Sequence, residues 1–200
     1  MSTLVQATTV ALASSSSLVP DSRREENLNR IAEELRERHG VQVVVIPMDL
    51  TREDSAEELF RKVGEFDVGL LVNNAGFGYY GRFVKQDPGK FSEMIKLNIL
   101  TFTLLTRKFA DRFIKRGRGG IILVSSLAAF QPTPGMALYG ATKGFELLLG
   151  EAIAEEVMGK NVDITVLCPS ATLTEFQRVA GGVPHDGMTS EFVAENAVQC

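Results

Sequence analysis

Four short aliphatic runs punctuate this chain: VQVVVI at 41–46, VGLLV at 68–72, GGIILVS giving a strand at 121–125, and VDITVL at 162–167. Segments of helical period separate them, and no other feature narrows the fold as much. The runs are too apolar to face water, which suits strands covered on both sides. Strands that alternate with helices are joined by right-handed crossovers, so the expected class is α/β, a doubly wound parallel sheet. With 200 residues the chain has the size of one domain with a sizeable core.

The intervening helices follow from local patterns. SRREENLNRIAEELRERHG opens on a capping box, Ser22 with Glu25, carries Leu28, Ile31, Ala32 and Leu35 on one stripe, and stops at Gly40. Further helices are expected near 52–63, 88–116 and 138–158; the third contains FSEMIKLNILTFTLLTRKF, apolar on more than one face. In open α/β sheets ligands sit outside the carboxyl ends of the strands. The segments to read for function are therefore MDL, NNAG, SS and CPSATLT, each directly after one of the runs.

Composition excludes some classes. A net charge of -4 lacks the basic excess of a nucleic-acid binder. Two cysteines, Cys168 and Cys200, make neither a disulfide framework nor a metal-ligand spacing, so reduced thiols and a cytoplasmic location are expected. No apolar run reaches the roughly 20 residues that span a bilayer. The N-terminal MSTLVQATTVALASSSS lacks the positive start of a signal peptide despite its Ala11-x-Ala13.

Each functional candidate has a plain alternative. Asn73 to Gly76 could be an Asx turn, Ser125 and Ser126 solvated strand ends, and Asn98 a core amide bonding a backbone carbonyl. Tyr139 and Lys143, four residues apart in YGATK, face one way along a helix and could be a surface phenol over a lysine stem. Their common position, at strand ends or on the helix beside one, argues instead for one site.

In this combination the sequence resembles the short-chain dehydrogenase/reductase family. The resemblance rests on NNAG, Ser126 thirteen residues before Tyr139, the Tyr-x-x-x-Lys of YGATK, the asparagine of KLNIL, and CPSATLT, and covers about residues 22–199. It implies a Rossmann-like fold and an NAD(P)-dependent oxidoreductase acting on a carbonyl or alcohol substrate, with Asn98, Ser126, Tyr139 and Lys143 as its machinery. Tyr139 would exchange the proton, Ser126 align the substrate oxygen, and Asn98 hold a water of the relay. A phenol ionises near 10, and the nearby cation Lys143 is expected to bring that value down while holding the nicotinamide ribose. The resemblance also implies cofactor contacts from Asp49, Leu50, Asn74, Ala75, Gly76, Pro169, Thr172 and Thr174, beside Tyr139 and Lys143. Arg23 falls where the family's second strand ends. A cation there suits the 2′-phosphate, so NADP is preferred over NAD on that residue alone. Family members usually pair through the helices near 88–116 and 138–158, which implies a homodimer or homotetramer.

The chain also departs from the family. The Thr-Gly-x-x-x-Gly-x-Gly turn is missing, and no glycine precedes Gly40, although pyrophosphate needs glycines to approach a helix N-terminus. Between Ser17 and Arg23 there is no room for a crossover of a dozen residues. The first two strands and the last strand are therefore in doubt, unless TLVQATTVAL fills the first gap. Residues 1–21 are expected to be an atypical N-terminal segment, and 22–200 a partial domain, from a shortened or altered copy. Ser170 stands where the family usually has glycine. Two further readings stay open: a catalytically inactive homologue acting as a dimerising scaffold, and a non-functional fragment. A ketoacyl chain, a steroid-like ketone and a small aldehyde are equally compatible as substrates.

Overall fold

The computed structural model describes residues 22–172, 176, 180, 181 and 187–197. Helix α1 (Ser22–His39) leads through Gly40, which has a left-handed φ of 64°, into extended chain. Then follow α2 (Ser55–Lys62), β1 (Leu70–Asn73), α3 (Pro88–Ile95), α4 (Phe102–Arg116), β2 (Gly119–Val124), α5 (Ala137–Glu156), β3 (Val162–Leu167) and α6 (Ser190–Ala197). The three described strands are parallel in the order β1-β2-β3, with Leu71 opposite Ile121 and Ile121 opposite Ile164. This is the Rossmann-like α/β sheet expected from the alternation.

Helices α4 and α5 cover one face of that sheet. Because side chains alternate along a strand, Leu71, Ile121 and Leu123 point into this layer and are buried. They meet Phe102, Phe109 and Phe113 of α4, and Phe60 of α2 packs edge-on against Phe109 at 5.3 Å. The opposite face carries the cleft. Leu70 and Val72 are 47% and 49% exposed, and together with Ile122, Val124 and Leu167 they line an open cleft.

Three expectations are revised. Residues 41–46 are not a regular strand: Val43 and Asp49 occupy single bridge positions, and among the described residues β1 pairs only with β2. The helix expected over 88–116 is interrupted by a π-helical turn, Lys96–Thr101, between α3 and α4. In α1 the stripe is narrower than its sequence, with Ala32 buried and Ile31 43% exposed. Helix α1 already includes Ser22, and the side chains of the expected capping pair, Ser22 and Glu25, lie outside the described residues.

Candidate active site

The cleft, about 780 Å³ in volume, opens at the carboxyl ends of the parallel strands. Asn74 and Gly76 border it after β1, Ser125 and Ser126 after β2, and Pro169 and Thr172 after β3. Tyr139 and Lys143 reach it from the first turns of α5, while Val193, Ala194 and Ala197 of α6 form the far wall. Seven of the sequence-derived site residues, Asn74, Gly76, Ser126, Tyr139, Lys143, Pro169 and Thr172, thus share one cavity.

The loop after β1 is held against α5 by Asn98. Its amide donates to the Phe77 carbonyl (2.9 Å) and to Thr142 Oγ1 (3.0 Å), and its Oδ1 accepts from Phe77 N (3.2 Å). Thr142 Oγ1 in turn donates to the Tyr139 carbonyl at 2.8 Å. Asn98 is fully buried on the π-helical turn, an irregularity that often accompanies functional sites. Its geometry is that of a satisfied core amide that ties the site together. Asn73 plays a similar part, donating to Phe102 O and Thr106 Oγ1.

Two glycines let this loop come close. A Cβ at Gly76 would lie 3.2 Å from Asn98 Oδ1 and 3.5 Å from Lys143 Nζ. At Gly78 it would collide with the Tyr139 ring at 2.8 Å and with Met136.

Lys143 is no surface residue. The residue is 5% exposed, and its ammonium donates to Val124 O at 2.9 Å and to Glu146 Oε2 at 2.8 Å. It lies 5.8 Å from the centre of the Tyr139 ring. Ser125 Oγ fixes the same helix by donating to the Lys143 carbonyl at 2.8 Å. Ser126 Oγ accepts from Ala128 N at 3.2 Å, and its side chain also interacts with the Tyr139 phenol.

The electrostatics overturn one expectation. Burial pushes the Tyr139 phenol up to about 12; the hydrogen bond with Ser126 opposes this, and the negative charge of Glu146 and the nearby Tyr80 add to it. Lys143 was expected to lower that value. Lys143 instead pairs with Glu146, itself fully buried and pushed up to about 7 by burial, with Lys143 pulling the other way.

The remaining expected cofactor residues are distributed differently. Asp49 spends its carboxylate on Thr51, accepting from N (2.9 Å) and Oγ1 (2.7 Å). Leu50 is buried, and its carbonyl accepts from Ser55 and Thr101. Neither borders the cleft, and Ala75 packs against the core. The Arg23 side chain and Thr174 lie outside the described residues.

Two residues beside the site escaped sequence reasoning. Phe176 packs its ring 5.2 Å from that of Tyr139, and nothing in its loop's composition signalled this. Glu146 stands three residues after Lys143, a spacing that does mark a helical ion pair.

Comparison with known proteins agrees with this fold. Residues 4–181 match the family described as short chain dehydrogenase, a match that begins well ahead of residue 22. A 7beta-hydroxysteroid dehydrogenase of Clostridium sardiniense is 32% identical over 152 residues, 76% of this chain and 58% of that enzyme. The chain thus spans under two thirds of the length of this curated relative. Among solved structures, a short-chain dehydrogenase from Sphingobium yanoikuyae in complex with NADPH superposes with a TM-score of 0.84 at 31% identity. It covers 95% of this chain and 72% of that one. A bulky-bulky ketone specific alcohol dehydrogenase from Comamonas testosteroni gives 0.80 at 30% identity, covering 95% and 70%.

Proposed function

The chain belongs to the short-chain dehydrogenase family, and from that premise we propose that it is an NAD(P)-dependent oxidoreductase that interconverts a ketone and an alcohol. The observation that carries this reading is the convergence of Ser126, Tyr139 and Lys143 on one cleft at the carboxyl ends of the strands.

The nicotinamide end of a dinucleotide fits the residues present. Gly76 keeps the loop thin beside Lys143, and Asn74, Pro169 and Thr172 border the same cavity with polar or flat surfaces. The bound cofactor would supply or accept the hydride. Lys143 has three N–H donors, two of them committed to Val124 and Glu146, which leaves one for the ribose hydroxyls. Asp49 and Leu50 are less well suited to the adenine end, since they stand away from the cleft. NADP remains preferred over NAD through Arg23 alone.

Tyr139 would act as the proton donor. A phenol held up to about 12 is protonated at neutral pH, so it can give its proton to a carbonyl oxygen as that oxygen gains charge, with Ser126 aligning the oxygen. Asn98 would keep the Tyr139 turn in place and support the relay. The site thereby favours reduction.

Substrate class follows from the cleft's walls. Tyr80, Leu127, Met136 and Phe176 share the cavity with Tyr139, which suits a bulky, mostly apolar ketone over a small aldehyde. The activities by which the Clostridium and Comamonas relatives are named point the same way. A homodimer or homotetramer in the cytoplasm completes the proposal. No helix among the described residues is long and apolar enough to cross a membrane.

The test is consumption of reduced nicotinamide with a steroid ketone, a ketoacyl thioester and a small aldehyde. Turnover with the steroid ketone that falls by about 10²- to 10⁴-fold in Tyr139→Phe, with cofactor binding kept, is the expected result. Turnover unchanged by that substitution would remove Tyr139 from the chemistry.

A further inference from the structure

Glu146 is an unusual neighbour for a site that depends on a cation. Its side chain is fully buried on α5, one turn beyond Lys143. Oε2 accepts from the Lys143 ammonium at 2.8 Å, whereas Oε1 is buried with no hydrogen-bond partner. An ionised carboxylate with a bare buried oxygen is costly, and the fold keeps it next to the one cation of the proposed proton-transfer site.

We propose that Glu146 is a positioning residue of the reductase site: it anchors the Lys143 ammonium against the Val124 carbonyl, and its charge cancels the field of Lys143 at the Tyr139 phenol. The protonation of Glu146 then sets how readily Tyr139 releases its proton. This rests on the reading of Tyr139 and Lys143 given above.

The physical argument is one of compensation. Lys143 Nζ and the Tyr139 ring centre are 5.8 Å apart, close enough for a bare ammonium in a buried setting to favour the phenolate strongly. A carboxylate 2.8 Å from that ammonium turns the point charge into a dipole, whose field falls off faster with distance. With Glu146 ionised, Tyr139 keeps its proton and serves as an acid. With Glu146 neutral, Lys143 is uncompensated and the phenolate is favoured.

Among the described residues the other titratable groups around Glu146 are few. Lys143 and Tyr139 share its helix, and Glu151 lies a turn further on. Cys168, just past β3, has its thiol pushed up chiefly by burial; Ser125 and the Ser126 backbone oppose this, and the charges of Glu151 and Glu146 add to it. None of these supplies a second cation, so the pair is the local switch.

The experiment reads the phenol itself in the cofactor-free chain. With only three tyrosines, ¹³Cζ-labelled tyrosine gives few signals, and Tyr139→Phe assigns the one that matters. In Glu146→Gln, which keeps an acceptor but no charge, the Tyr139 titration is expected to move to lower pH by about one unit or more. Wild-type protein needs no variant: its Tyr139 resonance should show a small inflection as Glu146 ionises, near about 7. An unmoved titration in a folded Glu146→Gln chain, or no such inflection in the wild type, overturns the inference. A moved phenol in a chain that binds neither NADP nor NAD would uphold the coupling and overturn the reductase reading instead.

Discussion

At the level of single residues, the site is governed by burial more than by the presence of a cation. Tyr139 and Lys143 are adjacent, yet the phenol is held up, chiefly by burial, with the charge of Glu146 adding to it. The carboxyl of Glu146 offers a direct thermodynamic check. Its ordinary value of 4.5 is pushed up to about 7, so the folded chain holds this proton more tightly than the unfolded chain does. The stability from that site is complete below 4.5 and is lost as pH rises through about 7. Glutamine cannot ionise. The urea midpoint of the wild type relative to Glu146→Gln should therefore fall as pH rises from about 5 to about 8. A difference that stayed flat or rose over that window would show that Glu146 is ionised and satisfied throughout. The Lys143–Glu146 spacing was legible in YGATKGFE, but the sign of its effect on Tyr139 was not. That sign depends on how deeply all three groups are buried, which spacing does not reveal.

Among the secondary elements, the decisive one is the π-helical turn Lys96–Thr101 between α3 and α4. It places Asn98 where its carboxamide can bridge the loop after β1 to α5, through Phe77 and Thr142. Substituting Asn98→Leu would strand the Phe77 N–H and C=O in a buried setting and leave Thr142 Oγ1 with only the bond it donates to the Tyr139 carbonyl. A stability loss of roughly 2–5 kcal/mol in chemical denaturation is expected, with the m-value unchanged. A loss below about 1 kcal/mol would mean that water replaces the amide. Helix α5 and strands β2 and β3 were readable because their period and their order are local properties. The π turn was not, since one extra residue in a turn leaves no trace in a segment apolar on several faces. Residues 41–46, also read as a strand, are extended chain with Val43 at a bridge position, and a run such as VQVVVI carries no information on where its neighbour stands.

For the molecule as a whole, one face of the sheet is packed and the other opens on the cleft. Leu71 and Leu123 sit in a dense aromatic layer under α4, whereas Leu70 and Val72, one residue away in the same strand, remain about half exposed. The alternation fixed the parallel α/β order from sequence, and the strand-end motifs located the cleft, because both follow from how βαβ units close. The missing Gly-rich turn left open whether the cofactor's phosphates are held, and it makes binding the central question. The most direct measurement is a thermal-shift titration of the intact chain with NADP, NAD and buffer, with Tyr139→Phe alongside. The account predicts that NADP raises the melting temperature in both proteins, by about 4 °C or more at saturation, and NAD by less. No shift with either nucleotide at millimolar concentration would contradict it.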